Sequence, residues 1–393
     1  MNAHAPRGAL APGTRVQIGA YRVAVQRFLA RGGFAFVYLV SPDDKPAPLM
    51  VLKCMSVWNR DALRSVRAEV EYHRKLKGCP TIVQFIEASA SPLPNDGWQI
   101  FILMEYCEGG ALIDFMNTRL QQRLSEQEVL AIFRDVCAAV VVMHECDPPL
   151  VHRDLKIENV LLSSRLAPTF KLCDFGSCFP VLTNKPARSS EEKQRVEAEL
   201  NMHTTLQYRA PEMTDLNMHR PINEKADIWA LGVFLYKLCY YTTPFEGPTG
   251  GPLAIVQARF EYPKLPAYSI ELRALIGTLI QADQEKRPSA AWALARADAL
   301  RGAKPKSVPR KPVTKSVTKP VTPLPPPAHP PAPSPARAPA PLPRQPPQPP
   351  QPPQPPQPAL DDARARFPPV EQVAAVQKGT VRARAAELNA PVP

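Results

Sequence analysis

The densest chemistry in the chain lies in His152-Arg153-Asp154-Leu155-Lys156-Ile157-Glu158-Asn159. Asp154 can accept the hydrogen bond of an attacking hydroxyl, Lys156 can neutralise a transferred phosphoryl, and Asn159 can ligate Mg²⁺. Fifteen residues beyond Asn159 comes Asp174-Phe175-Gly176, whose carboxylate can hold a metal that bridges phosphates. Ala210-Pro211-Glu212 closes a segment of 39 residues counted from Asp174. Upstream, Ala30-Arg31-Gly32-Gly33-Phe34-Ala35-Phe36-Val37 sits between two apolar strands, where small residues let backbone N–H groups approach phosphate oxygens. Only Gly32 stands where a GxGxxG loop demands glycine; Ala30 and Ala35 replace the other two. Lys53 lies on an otherwise apolar strand, 16 residues before Glu69 in a charged helix, and reads as a paired cation for phosphates. Taken singly, a glycine-rich hairpin is a turn and a strand lysine a solvated edge charge. In this order and at these separations they point to phosphoryl transfer.

The elements that must position these groups follow from periodicity. Alternation predicts strands over 21–29, 36–40, 49–55, 82–88 and 98–104, with a helix over 60–77 between the third and fourth. Helices then dominate, over 111–117, 125–144, 224–241 and 269–280, the second capped by Ser125 with Glu128 three residues on. The expected fold class is α+β: a small strand-rich N-terminal lobe and a larger helical C-terminal lobe. Residues 1–20 read as unstructured.

These motifs resemble those of protein kinases, and Lys53 with Glu69 resembles the lysine–glutamate pair that kinases place on a strand and the first large helix. Lys156, and Thr205 six residues before Pro211, are what serine/threonine kinases carry. Four strings are similar to the Numb-associated kinase family, which includes adaptor-associated and fungal actin-regulating kinases. They are Gly32-Gly33-Phe34-Ala35, Leu172-Cys173-Asp174-Phe175-Gly176-Ser177, Thr204-Thr205-Leu206-Gln207-Tyr208-Arg209-Ala210-Pro211-Glu212-Met213, and Lys225-Ala226-Asp227-Ile228-Trp229-Ala230-Leu231-Gly232.

The resemblance implies a kinase domain over 21–298, with an N-lobe to 104, a hinge at 105–107 and a C-lobe from 108. It implies ATP bound by residues 30–37, Lys53 and Glu69, with Met104 as gatekeeper and Glu105, Tyr106 and Cys107 as the adenine hinge. Two Mg²⁺ ions would be held by Asn159 and Asp174. Thr205 would bond the catalytic Asp154 and Lys156, Asp227 would hold the catalytic loop, and Arg287 would pair with Glu212. A helix over 191–203 would complete the activation segment. Substrates would be endocytic adaptor or actin-patch proteins at a Thr followed by Gly. His73, one turn after Glu69, stands where the family places an apolar residue; it reads either as a satisfied core side chain or as a pH-sensitive strain point. Cys173 reads either as a reactive thiol at the nucleotide site or as a small buried residue. The alternative to an active enzyme is a pseudokinase scaffold acting through its tail.

Composition bounds the rest. The chain has 393 residues, and 28 of its 49 prolines fall within residues 301–393, a density incompatible with a packed domain. Of the net charge of +12, that tail carries +10, so a basic nucleic-acid-binding core is excluded as a reading of the charge. Residues 299–393 are expected to be a disordered, basic, proline-rich tail, either a spacer or an SH3 ligand through Arg344-Gln345-Pro346-Pro347-Gln348-Pro349-Pro350. The longest apolar run, Val136 to Met143, falls far short of the roughly 20 residues a membrane span needs. The eight cysteines form no CxxC pair, and reduced thiols in a cytoplasmic monomer are expected, with localisation at the cell cortex or endocytic sites implied by the resemblance.

Overall fold

The computed structural model describes residues 8–31, 35–43, 48–94, 96–182, 185–247 and 250–302. Gly32, Gly33 and Phe34 of the expected phosphate loop lie outside the described residues, as does the tail from 303 with its Arg344–Pro350 motif.

Six strands form one antiparallel sheet in the order β1-β2-β3-β4-β6-β5: β1 (Arg15–Ile18), β2 (Tyr21–Arg31), β3 (Ala35–Pro42), β4 (Met50–Val57), β5 (Phe85–Pro92) and β6 (Trp98–Glu105). Two of these depart from the sequence reading. Residues 15–18 are ordered rather than unstructured, because Val16 and Ile18 turn inward from β1 onto the sheet's core beside Val23 and Val25. The fifth strand begins at Phe85 rather than at residue 82, because Thr81 and Val83, on either side of Ile82, are drawn into backbone bonds with Leu172 instead.

Between β4 and β5 runs α1 (Arg60–Lys75), started by Asn59, whose side chain accepts from the Ala62 amide at 2.7 Å. Leu63, Glu69, Val70 and His73 form its buried face. Pairing places Val37 opposite Lys53 and Lys53 opposite Ile102, so these three side chains leave one face of the sheet, the face that carries Lys53 toward α1.

The C-terminal lobe opens with β7 (Gly110–Ala111), α2 (Leu112–Asn117) and α3 (Glu126–His144), the last started by a Ser125–Glu128 capping box. Short strands follow: β8 (Leu150–Val151), β9 (Val160–Leu162), β10 (Phe170–Leu172) and β11 (Phe179–Pro180). β10, β9 and β7 make a small sheet, β11 pairs with β8, and the loops between them carry Asp154 and Asp174. The helices are α4 (Ser190–His203), α5 (Pro211–Thr214), α6 (Lys225–Tyr240), α7 (Pro252–Val256), α8 (Ile270–Leu279) and α9 (Ala290–Leu300). α6 is buried on nearly every face, including the fully enclosed Trp229, and one continuous apolar core joins it to α3, α8 and α9. Among the described residues no helix is long and apolar enough to cross a membrane.

Candidate active site

The loop between β8 and β9 is closed on itself by side chains. Asp154 accepts at Oδ1 from the Thr205 hydroxyl at 2.7 Å and at Oδ2 from the Asn159 amide at 3.1 Å. Lys156 Nζ lies 2.6 Å from Asp154 Oδ2 and donates to Thr205 Oγ1 at 2.9 Å. Four residues from two segments thus meet in one cluster, with Thr205 on Asp154 and Lys156 as the resemblance implied. The loop's backbone hangs from Asp227, at the start of α6. Its carboxylate accepts from the His152 and Arg153 amides at 2.8 and 2.9 Å and lies 3.0 Å from His144 Nε2. Burial alone would push the Asp227 carboxyl up, but His144, the charge of His152 and the His152 amide outweigh it and hold it below the usual range.

On the facing lobe Lys53 Nζ donates to Glu69 Oε1 at 2.6 Å and reaches Asp174 Oδ1 at 3.4 Å. Burial works against the ammonium, yet the two carboxylates overcome it and keep Lys53 charged above its ordinary range. Lys53 in turn pulls Asp174 below the usual carboxylate range, against a smaller opposing effect of burial. Arg153 and Asp174 both take left-handed backbone at φ 65°, an uncommon conformation for residues with a Cβ, held here by the surrounding bonds.

A hard divalent cation fits these donors. Asn159 gives its amide nitrogen to Asp154 on two bonds, to the carbonyl at 2.8 Å and to Oδ2, leaving its amide oxygen to offer a metal; Asp174 keeps about half its side chain exposed. No group of three His, Cys, Asp or Glu that could hold a metal occurs among the described residues.

His73 is a satisfied core side chain. It is 4% exposed, its Nε2 donates to the Val83 carbonyl at 2.6 Å, and its ring lies 4.8 Å from that of Phe175. Cys173 is half-buried and donates to the Asn159 carbonyl at 3.3 Å, and burial, reinforced by Asp174, pushes its thiol up.

The segment after Asp174 is anchored at both ends. Arg153 donates Nε to the Ser177 carbonyl at 2.7 Å and meets Glu199 of α4 at 2.8 Å. α4 starts at Ser189 with a second capping box, to Glu192. Farther on, Arg287 makes a two-pronged pair with Glu212 at 2.7 and 2.8 Å, both side chains wholly buried, while its guanidinium covers the Trp229 ring. Met104 is half-buried near the end of β6, opposite Val51 of β4 and Phe85 of β5; Ala30, Arg31, Ala35 and Val37 flank the β2–β3 hairpin, whose end at Ala35 faces Met55 instead. Cys107 is buried, and Glu105 turns its carboxylate to Lys171 and the Gln84 amide while its own amide donates to the Gln84 carbonyl.

Sequence reasoning missed His144, Lys171, Arg209 and Glu199. The first two lie far along the chain from the groups they serve and belong to no motif. Arg209 stood within a quoted string, yet its role only shows where it binds Thr204, Asn201 and the Leu200 carbonyl, joining α4 to the loop of Thr205.

A small antiparallel sheet over a helical lobe, with a lysine–glutamate pair on one side and an Asp–Lys–Asn–Thr cluster on the other, defines the bilobal protein kinase fold. The protein kinase domain family matches residues 23–297, and the chain belongs to it. Members of that family use ATP with a divalent metal. Serine/threonine-protein kinase ppk30 of Schizosaccharomyces pombe is 48% identical over 281 residues, 70% of this chain and 28% of that protein. Actin-regulating kinase 1 of Saccharomyces cerevisiae is 47% identical over 283 residues, 70% of this chain and 43% of that protein. Actin-regulating kinase PRK1 of the same yeast is 44% identical over 283 residues, 71% of this chain and 34% of that protein. These actin-regulating kinases belong to the Numb-associated group, to which the four strings at 32–35, 172–177, 204–213 and 225–232 pointed. The chain spans between about a quarter and less than half the length of these curated relatives.

Proposed function

We propose that the chain is a serine/threonine protein kinase that transfers the γ-phosphoryl of ATP to a Ser or Thr hydroxyl of protein substrates. The observation that carries this reading is the closed Asp154–Lys156–Asn159–Thr205 cluster together with the Lys53–Glu69 and Lys53–Asp174 contacts. Asp154 accepts the hydrogen bond of the substrate hydroxyl and orients it; Lys156 meets the charge of the phosphoryl; Lys53, fixed by Glu69, holds the nucleotide's phosphates. Thr205 bonds Asp154 and Lys156 together, so one rigid cluster serves both acceptor and phosphoryl. Asn159 and Asp174 would hold two Mg²⁺, which supply positive charge to the phosphates when bound. Catalysis is then mainly positioning and charge stabilisation.

The names of the actin-regulating relatives support a substrate connected with actin; endocytic adaptor or actin-patch proteins, Thr-Gly acceptor sites and action at the cell cortex belong to the same proposal through the family resemblance. The tail motif Arg344–Pro350 adds an SH3-domain partner to this reading, and the catalytic domain acts as a monomer. A pseudokinase scaffold is disfavoured by the complete set Lys53, Glu69, Asp154, Asn159 and Asp174. The test is radiolabelled ATP with a Thr-Gly peptide library: label enters wild type's peptides and not those given to Asp154→Asn. Equal labelling by the two proteins overturns the mechanism.

A further inference from the structure

Lys171 lies three residues before Asp174 on β10, and the chemistry above makes no use of it. It is almost wholly enclosed, yet it is a cation: its side chain is 11% exposed, and its Nζ donates to both carboxylate oxygens of Glu105, at 2.7 and 2.9 Å. Glu105 is the first residue of the segment joining the lobes. Its Oε1 also accepts from the Gln84 amide at 2.6 Å, and its own amide donates back to the Gln84 carbonyl at 3.0 Å.

Gln84 is itself tied down. Its side-chain amide donates to the Cys79 and Ile82 carbonyls at 2.6 and 2.8 Å, and its Oε1 accepts from the Gly78 amide at 2.9 Å, where the chain turns at φ 93°. The same turn, which ends α1, is laced onto β10 by Leu172 N to Thr81 O at 2.9 Å and Val83 N to Leu172 O at 3.0 Å. Three segments far apart in sequence therefore converge on one carboxylate: the turn after α1, the hinge, and the strand that leads to Asp174. An ion pair whose lysine is nearly enclosed, with further hydrogen bonds, has one strongly preferred geometry, because losing the carboxylate strands the ammonium away from water.

We propose that Lys171, acting through Glu105 and Gln84, is a positioning residue that sets the hinge backbone for the nucleotide's base. This rests on the kinase reading above. Lys171 touches neither base nor phosphates; it draws the Glu105 carboxylate toward β10 and away from the cleft. The hinge backbone is thereby fixed relative to α1, which carries Glu69, and to Asp174. The device couples recognition of the base to the two groups that hold the phosphates, so adenine and triphosphate are met in one register.

The experiment uses the full chain with Lys171→Met, Lys171→Arg and Glu105→Gln. Affinity is read by calorimetric titration of Mg²⁺–AMP-PNP, KM for ATP and for a Thr-containing peptide by initial rates, and hinge order by amide hydrogen exchange. The expected result for Lys171→Met is a loss of nucleotide affinity of about tenfold. KM for ATP rises in step, KM for the peptide holds, and exchange quickens at residues 78–84 and 105–110 without nucleotide present. Lys171→Arg restores most of the affinity, and Glu105→Gln falls with Lys171→Met. A Lys171→Met chain that melts earlier yet binds nucleotide within about twofold of wild type would show a merely structural pair and overturn the proposal. A wild-type chain that binds nucleotide but labels no peptide sinks the kinase reading and leaves the hinge result standing; one that binds no nucleotide sinks both.

Discussion

The Arg153 guanidinium meets the Glu199 carboxylate at 2.8 Å, linking the residue next to Asp154 with the last helix before the Thr205 loop. Arg153 is nearly enclosed, donates to the Ser177 carbonyl, and lies over the Phe179 ring at 5.0 Å. A carboxylate of the chain itself thus supplies the negative charge that steadies the segment after Asp174. Glu199→Ala should lower the initial rate of peptide phosphorylation about two- to fivefold, the kinetic equivalent of a half-exposed pair worth roughly 0.5–1 kcal/mol. A variant as fast as wild type would remove Glu199 from that role.

Asp154 contacts Thr205, Lys156 and Asn159, and its loop backbone is held independently by Asp227. Asp154→Asn should therefore keep the fold while cutting kcat by a factor on the order of 10²–10⁴, as expected when a positioned acid–base group is lost. Single-turnover measurements at saturating ATP check this. Retention of wild-type kcat would mean that another group orients the acceptor.

Glu212 and Arg287 form a two-pronged ion pair with no solvent exposure, and Arg287 further donates to the Gln281 and Lys225 carbonyls at 2.8 and 2.9 Å. Removing one partner leaves the other charge buried and unpaired. Arg287→Met should cost about 3–5 kcal/mol, seen as a fall in Tm of roughly 10 °C. The double change Glu212→Gln with Arg287→Met should cost less than the sum of its parts, a double-mutant cycle that an additive result would contradict.

His73 gives stability a defined pH dependence. Burial pushes its pKa down, Lys53 adds to this, and the bond to the Val83 carbonyl and the charge of Glu105 oppose it without prevailing. The unfolded chain therefore takes up a proton at higher pH, near 6.5, than the folded one. The stability contribution is fully present above that value and is lost as pH falls from it toward the lower folded value. Between about pH 7.5 and pH 5.5 the Tm of wild type should drop more than that of His73→Leu. Identical slopes would show that other groups set the trend.

Much of the fold was legible because strands and helices with one buried face write their period into the chain, as β2, β4 and α3 do. β1 and α9 escaped that reading: a four-residue strand is too short for a period to show, and α9 is mostly alanine with only Arg296 and Asp298 charged, so no face stands out. Of the site, the residues within short spacings were legible, Asp154, Lys156 and Asn159 above all.

The linear chain, then, settled which groups are available: their types, order and local spacing determine a lysine on a strand, an Asp–Lys–Asn loop, and an Asp–Phe–Gly turn, and with these the family. Only the tertiary structure decided which of them meet. His144 on Asp227, Glu199 on Arg153 and Lys171 on Glu105 are contacts between segments tens of residues apart. No local period encodes such pairs, because a charge reaches its partner only after the cores of the two lobes have packed and excluded the water that would otherwise solvate it.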